Sequence, residues 1–251
     1  MVKNNIKVSN DYGVMNLLDY IALVWFLLNC VGYTYYSEHR AKTRPCLSNT
    51  LDLYRADWMR RTLMRDARIA DASVVGSLER NGAFFASSSL LILAGLITAI
   101  GYTDKAMSVF SDLPYIAQTG KFMWELKLVV LCAVFVYSFF KFTWSMRQYN
   151  FCGVLISSAP LTYEDKVSSG AREALAQSAA RVANLAGDSF NLGLRSYYYG
   201  LAVLTWFIHP ILFMAITSAV VAILFQREFR SRALKALRAG KTFEDAAAGK
   251  E

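Results

Sequence analysis

The chain has 251 residues, of which 55% are hydrophobic, 14% aromatic and only 18% charged, and its formal net charge is +8. Charge is sparser than the roughly one quarter of a soluble domain. The apolar residues also come in long runs, so an ordinary soluble fold is excluded.

Cys30, Cys46, Cys132 and Cys152 are far apart and form no Cys-x-x-Cys pair, and the whole chain has two histidines. Neither a disulfide framework nor a metal site is expected, and no cofactor motif is present. A basic chain can bind nucleic acid, but no recognition motif accompanies the charge. Anionic membrane lipids are its natural counter-charge.

Lys3 and Lys7 precede an apolar stretch that continues to Tyr36 and is followed by Arg40, Lys42 and Arg44. That pattern fits a signal anchor retained in the protein. The first span is placed at about 16–36. The positive-inside rule puts its C-terminal end in the cytoplasm and the N-terminal tail outside. Residues 49–68 form a cytoplasmic amphipathic helix capped by Ser48 or Asn49. Leu51, Tyr54 and Trp58 lie on one face and the arginines fall mostly elsewhere.

The second span, 82–102, contains Gly95 and Ala99, a small-xxx-small pair that lets helix backbones approach. Residues 103–120 read as a short external loop. The third span covers 121–144 and its helix continues towards Pro160. Thr162-Tyr163-Glu164-Asp165 has capping-box character and opens an alanine-rich cytoplasmic helix over 162–186, with Gly187 as its stop. So many small residues suit packing on the 49–68 helix.

A polar turn, Arg195 and three tyrosines then lead into the fourth span, 196–226, which holds no Asp, Glu, Lys or Arg. About thirty residues extend about 45 Å as helix, against a core of about 30 Å. This span must therefore tilt, kink at Pro210 or project. A basic amphipathic helix, 227–240, follows.

Four spans put both tails on one side. The first span marks that side as external, and the basic tail argues the opposite. Loops 37–80 and 142–195 outweigh the tails in Lys and Arg, so N-out and C-out is the expected topology.

Three stretches together carry a family resemblance. The first is Arg68-Ile69-Ala70-Asp71 with Phe84-Phe85-Ala86-Ser87-Ser88-Ser89. The second is Lys141-Phe142-Thr143-Trp144-Ser145-Met146-Arg147-Gln148-Tyr149-Asn150. The third is Phe190-Asn191-Leu192-Gly193-Leu194-Arg195-Ser196-Tyr197-Tyr198, with Trp206, Phe207 and Pro210, closing with Arg227-Glu228-Phe229-Arg230-Ser231. Over about residues 15–238 the chain resembles a family of bacterial multi-pass inner-membrane proteins known as a domain of unknown function, the DUF599 type. The resemblance implies four membrane helices in the inner (plasma) membrane and brings no assigned chemistry.

Asp19, Glu125 and Lys127 lie near the outer ends of their spans at similar depth. An Asp19–Lys127 pair is the plain structural reading, and an ion path the sharper one. His209 falls deeper, as a neutral imidazole hydrogen-bonded to another helix. Arg147, Tyr149 and Asn150 on the third helix, and Arg195, Tyr197 and Tyr198 on the fourth, sit at comparable boundaries. They are a candidate lipid or ligand site. No nucleophile elbow, zinc-binding helix or phosphate loop occurs.

The expected fold is all-α, with four transmembrane helices and cytoplasmic amphipathic extensions. The expected function is a non-enzymatic scaffold that assembles as a homo-oligomer or with partners and engages anionic lipid. The alternative is a small oligomeric transporter or channel using Asp19, Glu125 and His209.

Overall fold

A computed structural model describes residues 2–111, 120–162 and 168–248. Side-chain surroundings are described for these except 2–16, 106, 109–111 and 242–248. Among the described residues the chain is helical, with no strand. The helices are α1 (Val2–Ala41), α2 (Leu47–Leu63), α3 (Ile69–Gly101), α4 (Thr103–Ser111), α5 (Lys121–Ser157), α6 (Ser169–Trp206), α7 (Pro210–Arg230) and α8 (Arg232–Ala248).

Four helices are long and apolar enough to cross a membrane: α1 from Leu17, all of α3, all of α5, and α7 with the start of α8. At most a third of each apolar window is buried. Apolar faces left open are costly in water and are what a helix presents to hydrocarbon. The chain is read as a multi-pass membrane protein.

The chain divides into two compact units. Unit 1 comprises Met1–Glu38, Ser89–Ser138 and Arg195–Leu224; unit 2 comprises His39–Ser88, Phe139–Leu194 and Phe225–Glu251.

In unit 1 the expected fourth span is not one helix. α6 ends at Trp206 and α7 begins at Pro210. Phe26 of α1 meets both Tyr199, at 5.9 Å between ring centroids, and Phe213, at 5.3 Å. These residues lie seven positions either side of Trp206, about 21 Å apart in a continuous helix. One ring can touch both because the chain reverses between them.

Along α1, Trp206 meets Asp19, Tyr199 meets Phe26 and Arg195 meets Tyr33, so α6 runs antiparallel to α1. Within unit 1, Phe213 meets Phe26 beside Tyr199 of α6 and stacks on Trp206, so α7 doubles back along α6. α7 therefore follows α1 in the same direction. The physical cause is Pro210. It has no N–H to continue α6, and its fixed φ suits the first position of a new helix.

In unit 2, α2 is capped not by Ser48 or Asn49 but by Cys46, whose extended backbone lets Sγ accept from the Asn49 N–H. The Asn49 amide instead donates to the carbonyl of Ala41 at the end of α1. The alanine face of α6 (Ala179, Ala180, Ala183, Ala186) packs with Met59 of α2, Val75 of α3, and Tyr149, Cys152 and Ile156 of α5. Burying a side chain of Met59's size contributes about 1.5–3 kcal/mol. Phe85, Phe142 and Phe190 form an aromatic cluster with centroid separations of 5.1, 5.7 and 5.4 Å.

Arg68 ties off the end of α5 by donating to the carbonyls of Ile156, Ala159 and Pro160, oxygens that have no helical donor. α8, capped by the Ser231 hydroxyl on Leu234 N–H, lies on α2 through Tyr54 Oη, which donates to the Leu237 carbonyl at 2.8 Å.

Gly187 does not stop the alanine-rich helix, which runs on to Trp206. A Cβ there would stand 2.5 Å from Arg55 Nη2, so the glycine makes room for a guanidinium. The helix also starts later than 162: the Ser168 hydroxyl accepts from Ala171 N–H. Tyr163, Glu164 and Asp165 of the expected capping box lie outside the described residues. Part of the expected external loop is helix α4, with Asp104 in its first turn; residues 112–119 also lie outside the described residues.

Candidate functional site

A fully buried polar group in unit 1 is built from three helices. Asp19 of α1 is 0% exposed, and Lys127 of α5 and Trp206 of α6 are likewise 0% exposed. Asp19 Oδ1 lies 3.1 Å from Lys127 Nζ and accepts from Trp206 Nε1 at 2.6 Å. Lys127 Nζ also donates to the Trp206 carbonyl at 3.1 Å and sits 5.3 Å from the Trp206 ring centroid.

In an uninterrupted helix that carbonyl would accept from residue 210, and Pro210 cannot donate. The ammonium takes the missing donor's place at a helix C-terminus, where a cation is favoured. Phe213 of α7 stacks on Trp206 with centroids 4.9 Å apart, closing the hairpin. Asp19 Oδ2 and the buried Thr217 hydroxyl have no hydrogen-bond partner among the described residues.

This group unites two of the expected polar residues, Asp19 and Lys127, and leaves out the others. Glu125 is half-buried and makes no hydrogen bond or ion pair among the described residues. His209 does not sit deep in a span. It occupies the turn between α6 and α7, where Nδ1 accepts from Ile211 N–H at 3.2 Å and caps α7. Pro210 explains the difference, because it moves the turn to the middle of the apolar run.

The six residues of the expected lipid or ligand site divide between the units. Arg195 in unit 1 donates to the Ser37 hydroxyl and lies 5.3 Å from the Tyr33 ring centroid. Tyr197 pairs its hydroxyl with Ser89 at 3.1 Å and sets its ring edge-on to Phe135. Tyr198 is half-buried. In unit 2, Arg147 lies over Phe151. Tyr149 and Asn150 line a cavity of about 540 Å³ between α3 and α5. Asn150 donates to Glu79 Oε1 at 3.2 Å. Glu79 is a site residue that sequence reasoning missed, as is Trp206.

The charge is unevenly distributed. By sequence, unit 2 carries 21 Lys and Arg against 13 Asp and Glu, and unit 1 carries six against six. The whole net charge of +8 therefore belongs to unit 2. Some of its charges are internally matched. Arg60 grips Glu173 through two guanidinium nitrogens, at 3.1 and 3.0 Å, and this holds the Glu173 carboxyl below its ordinary range. Burial pushes the Cys46 thiol up to about 11, and the nearby Glu228 adds to the shift. Lys42, Arg44, Arg65, Arg232 and Lys235 are exposed.

Among the described residues no group of His, Cys, Asp or Glu has the arrangement of a metal site. Searches of curated proteins and of solved structures found no match. A family model described as a protein of unknown function, DUF599, matches residues 21–233, and the chain belongs to that family.

Proposed function

We propose that the protein is a non-enzymatic membrane scaffold whose unit 2 faces the cytoplasm and engages anionic lipid. The observation that carries this reading is the partition of charge: all of the net +8 lies in unit 2. Positive segments flanking spans are retained on the cytoplasmic side, and each Lys or Arg near an anionic leaflet contributes about 1 kcal/mol.

The reversal at 207–209 supports it. With α7 returning alongside α1, the basic tail joins the basic segments 39–88 and 139–194 in unit 2. A single span at 196–226 would have separated them. The second half of α6, antiparallel to α1, is then a further crossing ahead of α7, which makes five, and the topology is N-out and C-in in place of the N-out, C-out arrangement expected from four spans. α8 fits the same reading: Leu234 is buried while Arg232 and Lys235 are exposed.

Self-assembly is part of the proposal. Among the described residues Gly95 has nothing within 4 Å of its Cβ direction, which leaves the small-residue face at Gly95 open to a second copy.

Native mass spectrometry tests both parts. The protein is released from nanodiscs holding equal phosphatidylglycerol and phosphatidylcholine, in low and in high salt. The reading expects phosphatidylglycerol to be retained about tenfold over phosphatidylcholine, salt to erase the preference, and the protein to appear as a multiple of 28.2 kDa. Equal retention of the two lipids contradicts the lipid reading, and a monomer contradicts self-assembly.

A further inference from the structure

The cavity in unit 2 has a chemistry that the anionic-lipid reading does not use. Its walls are the first three turns of α3 and the last turns of α5. Ala72, Gly76, Gly153 and Ser157 line it, small side chains that leave about 540 Å³ open. That volume lies in the usual range for a small-molecule or headgroup site. Glu79 is the acidic side chain in the lining. Although unit 2 holds 21 cationic residues, the Glu79 carboxylate pairs with none of them among the described residues. Its hydrogen-bond partner is the neutral amide of Asn150, which donates to Oε1. A half-buried carboxylate left without a cation is a site for one supplied from outside.

Arg80, the next residue, places Nη1 within 3.3 Å of the Gly76 Cβ direction, beside the cavity. It too has no ion-pair partner among the described residues. A carboxylate in the lining and a guanidinium beside Gly76 at its rim match a ligand that carries an ammonium and a phosphate together. Their position points to its source. Glu79 lies three residues, about 4.5 Å along the helix, before Gly82, where the apolar run of α3 begins. That is the level of the headgroups.

We propose that this cavity binds the headgroup of a zwitterionic phospholipid with a primary ammonium, of the phosphatidylethanolamine class. The ammonium sits on Glu79 and the phosphate on Arg80. A choline headgroup fits less well. It has no N–H to donate to Glu79 and is recognised by aromatic cages, whereas the aromatic residue of this lining, Tyr149, has its ring buried.

The test uses the full-length protein in nanodiscs of equal phosphatidylethanolamine, phosphatidylcholine and phosphatidylglycerol, with retained lipids counted by native mass spectrometry. Phosphatidylethanolamine should be retained about tenfold over phosphatidylcholine. Glu79→Gln should bring the two to parity, and Glu125→Gln, in unit 1, should not.

Gly153→Leu supplies a second variant. Among the described residues a Cβ there meets Val75 Cγ1 at an ordinary 3.9 Å, so the backbone has room for a side chain, and a leucine at this lining position should occupy the cavity and have the same effect. Retention of phosphatidylethanolamine at the native ratio by both variants overturns the proposal. So does displacement of the lipid by micromolar spermidine or free phosphoethanolamine, which would identify a soluble amine as the ligand. Phosphatidylglycerol retention should be unchanged in both variants. A loss of anionic-lipid binding therefore stays distinguishable from a failure of this site.

Discussion

Lys127 Nζ lies 3.1 Å from the carbonyl oxygen of Trp206, whose donor in a continuous helix would have been the nitrogen of Pro210. The same ammonium pairs with Asp19, and Asp19 accepts the indole N–H of Trp206. One contact thus joins α1, α5 and the end of α6 at the point where the chain turns back. Lys127→Met leaves a buried carboxylate without its cation, and a loss of about 3–5 kcal/mol is expected. The double variant Asp19→Leu/Lys127→Met should lose less than the sum of the single losses, because neither charge is left alone. Thermal unfolding in detergent measures both. Additive losses would show that the two side chains act independently.

Gly193 tests the packing of α6 on α5. A Cβ at this position would lie 2.7 Å from Phe142 Cε1, on a ring that is itself fully buried among Phe85 and Phe190. Gly193→Ala should therefore destabilise by about 1–3 kcal/mol through overpacking, although alanine is the better helix former. Combining it with Phe142→Leu should recover part of the loss. The same thermal measurement reads it, and a stabilised Gly193→Ala protein would refute the close approach.

The Arg60–Glu173 pair sets a pH dependence. Arg60 holds the Glu173 pKa below its ordinary value of 4.5, so the folded value lies below the unfolded one. The contribution is present above the ordinary carboxylate range and is lost as pH falls through the lowered value. Both groups are at the surface, so the effect is small. The hydrogen-exchange protection of the second half of α2, relative to the intrinsic rate at each pH, should fall on acidification below about pH 4.5. Arg60→Gln should remove that step while leaving exchange at neutral pH nearly unchanged. A step of the same size in Arg60→Gln would assign it to another carboxylate.

The membrane helices were legible in the sequence because a run such as 82–102 has one physical explanation, hydrocarbon. The Asp19–Lys127 pair was legible from matched depth in two spans. The reversal was not. Hydropathy registers composition, not direction, and Trp206-Phe207-Ile208-His209-Pro210 carries no Asp, Glu, Lys or Arg to interrupt the run. Its signal was the tryptophan four residues before the proline, a carbonyl left without a donor, and a lysine elsewhere with protons to give.

Gly187 was read as a stop because glycine is costly within a helix. The cost is met because Arg55 crosses there, a tertiary cause that local propensity does not contain. Glu79 escaped notice because one carboxylate in a basic segment looks like a solvated charge until its neighbours are known.

The chain reverses within its last apolar run and so, in the proposed topology, carries the tail to the side of the basic segments. Reporters fused after Glu251 test this most directly. A C-terminal fluorescent protein should be bright, and an alkaline phosphatase fused at the same residue should be inactive, as for a cytoplasmic terminus. The same phosphatase inserted after Asp104 should be active. An active phosphatase after Glu251 would put the tail outside and contradict the account.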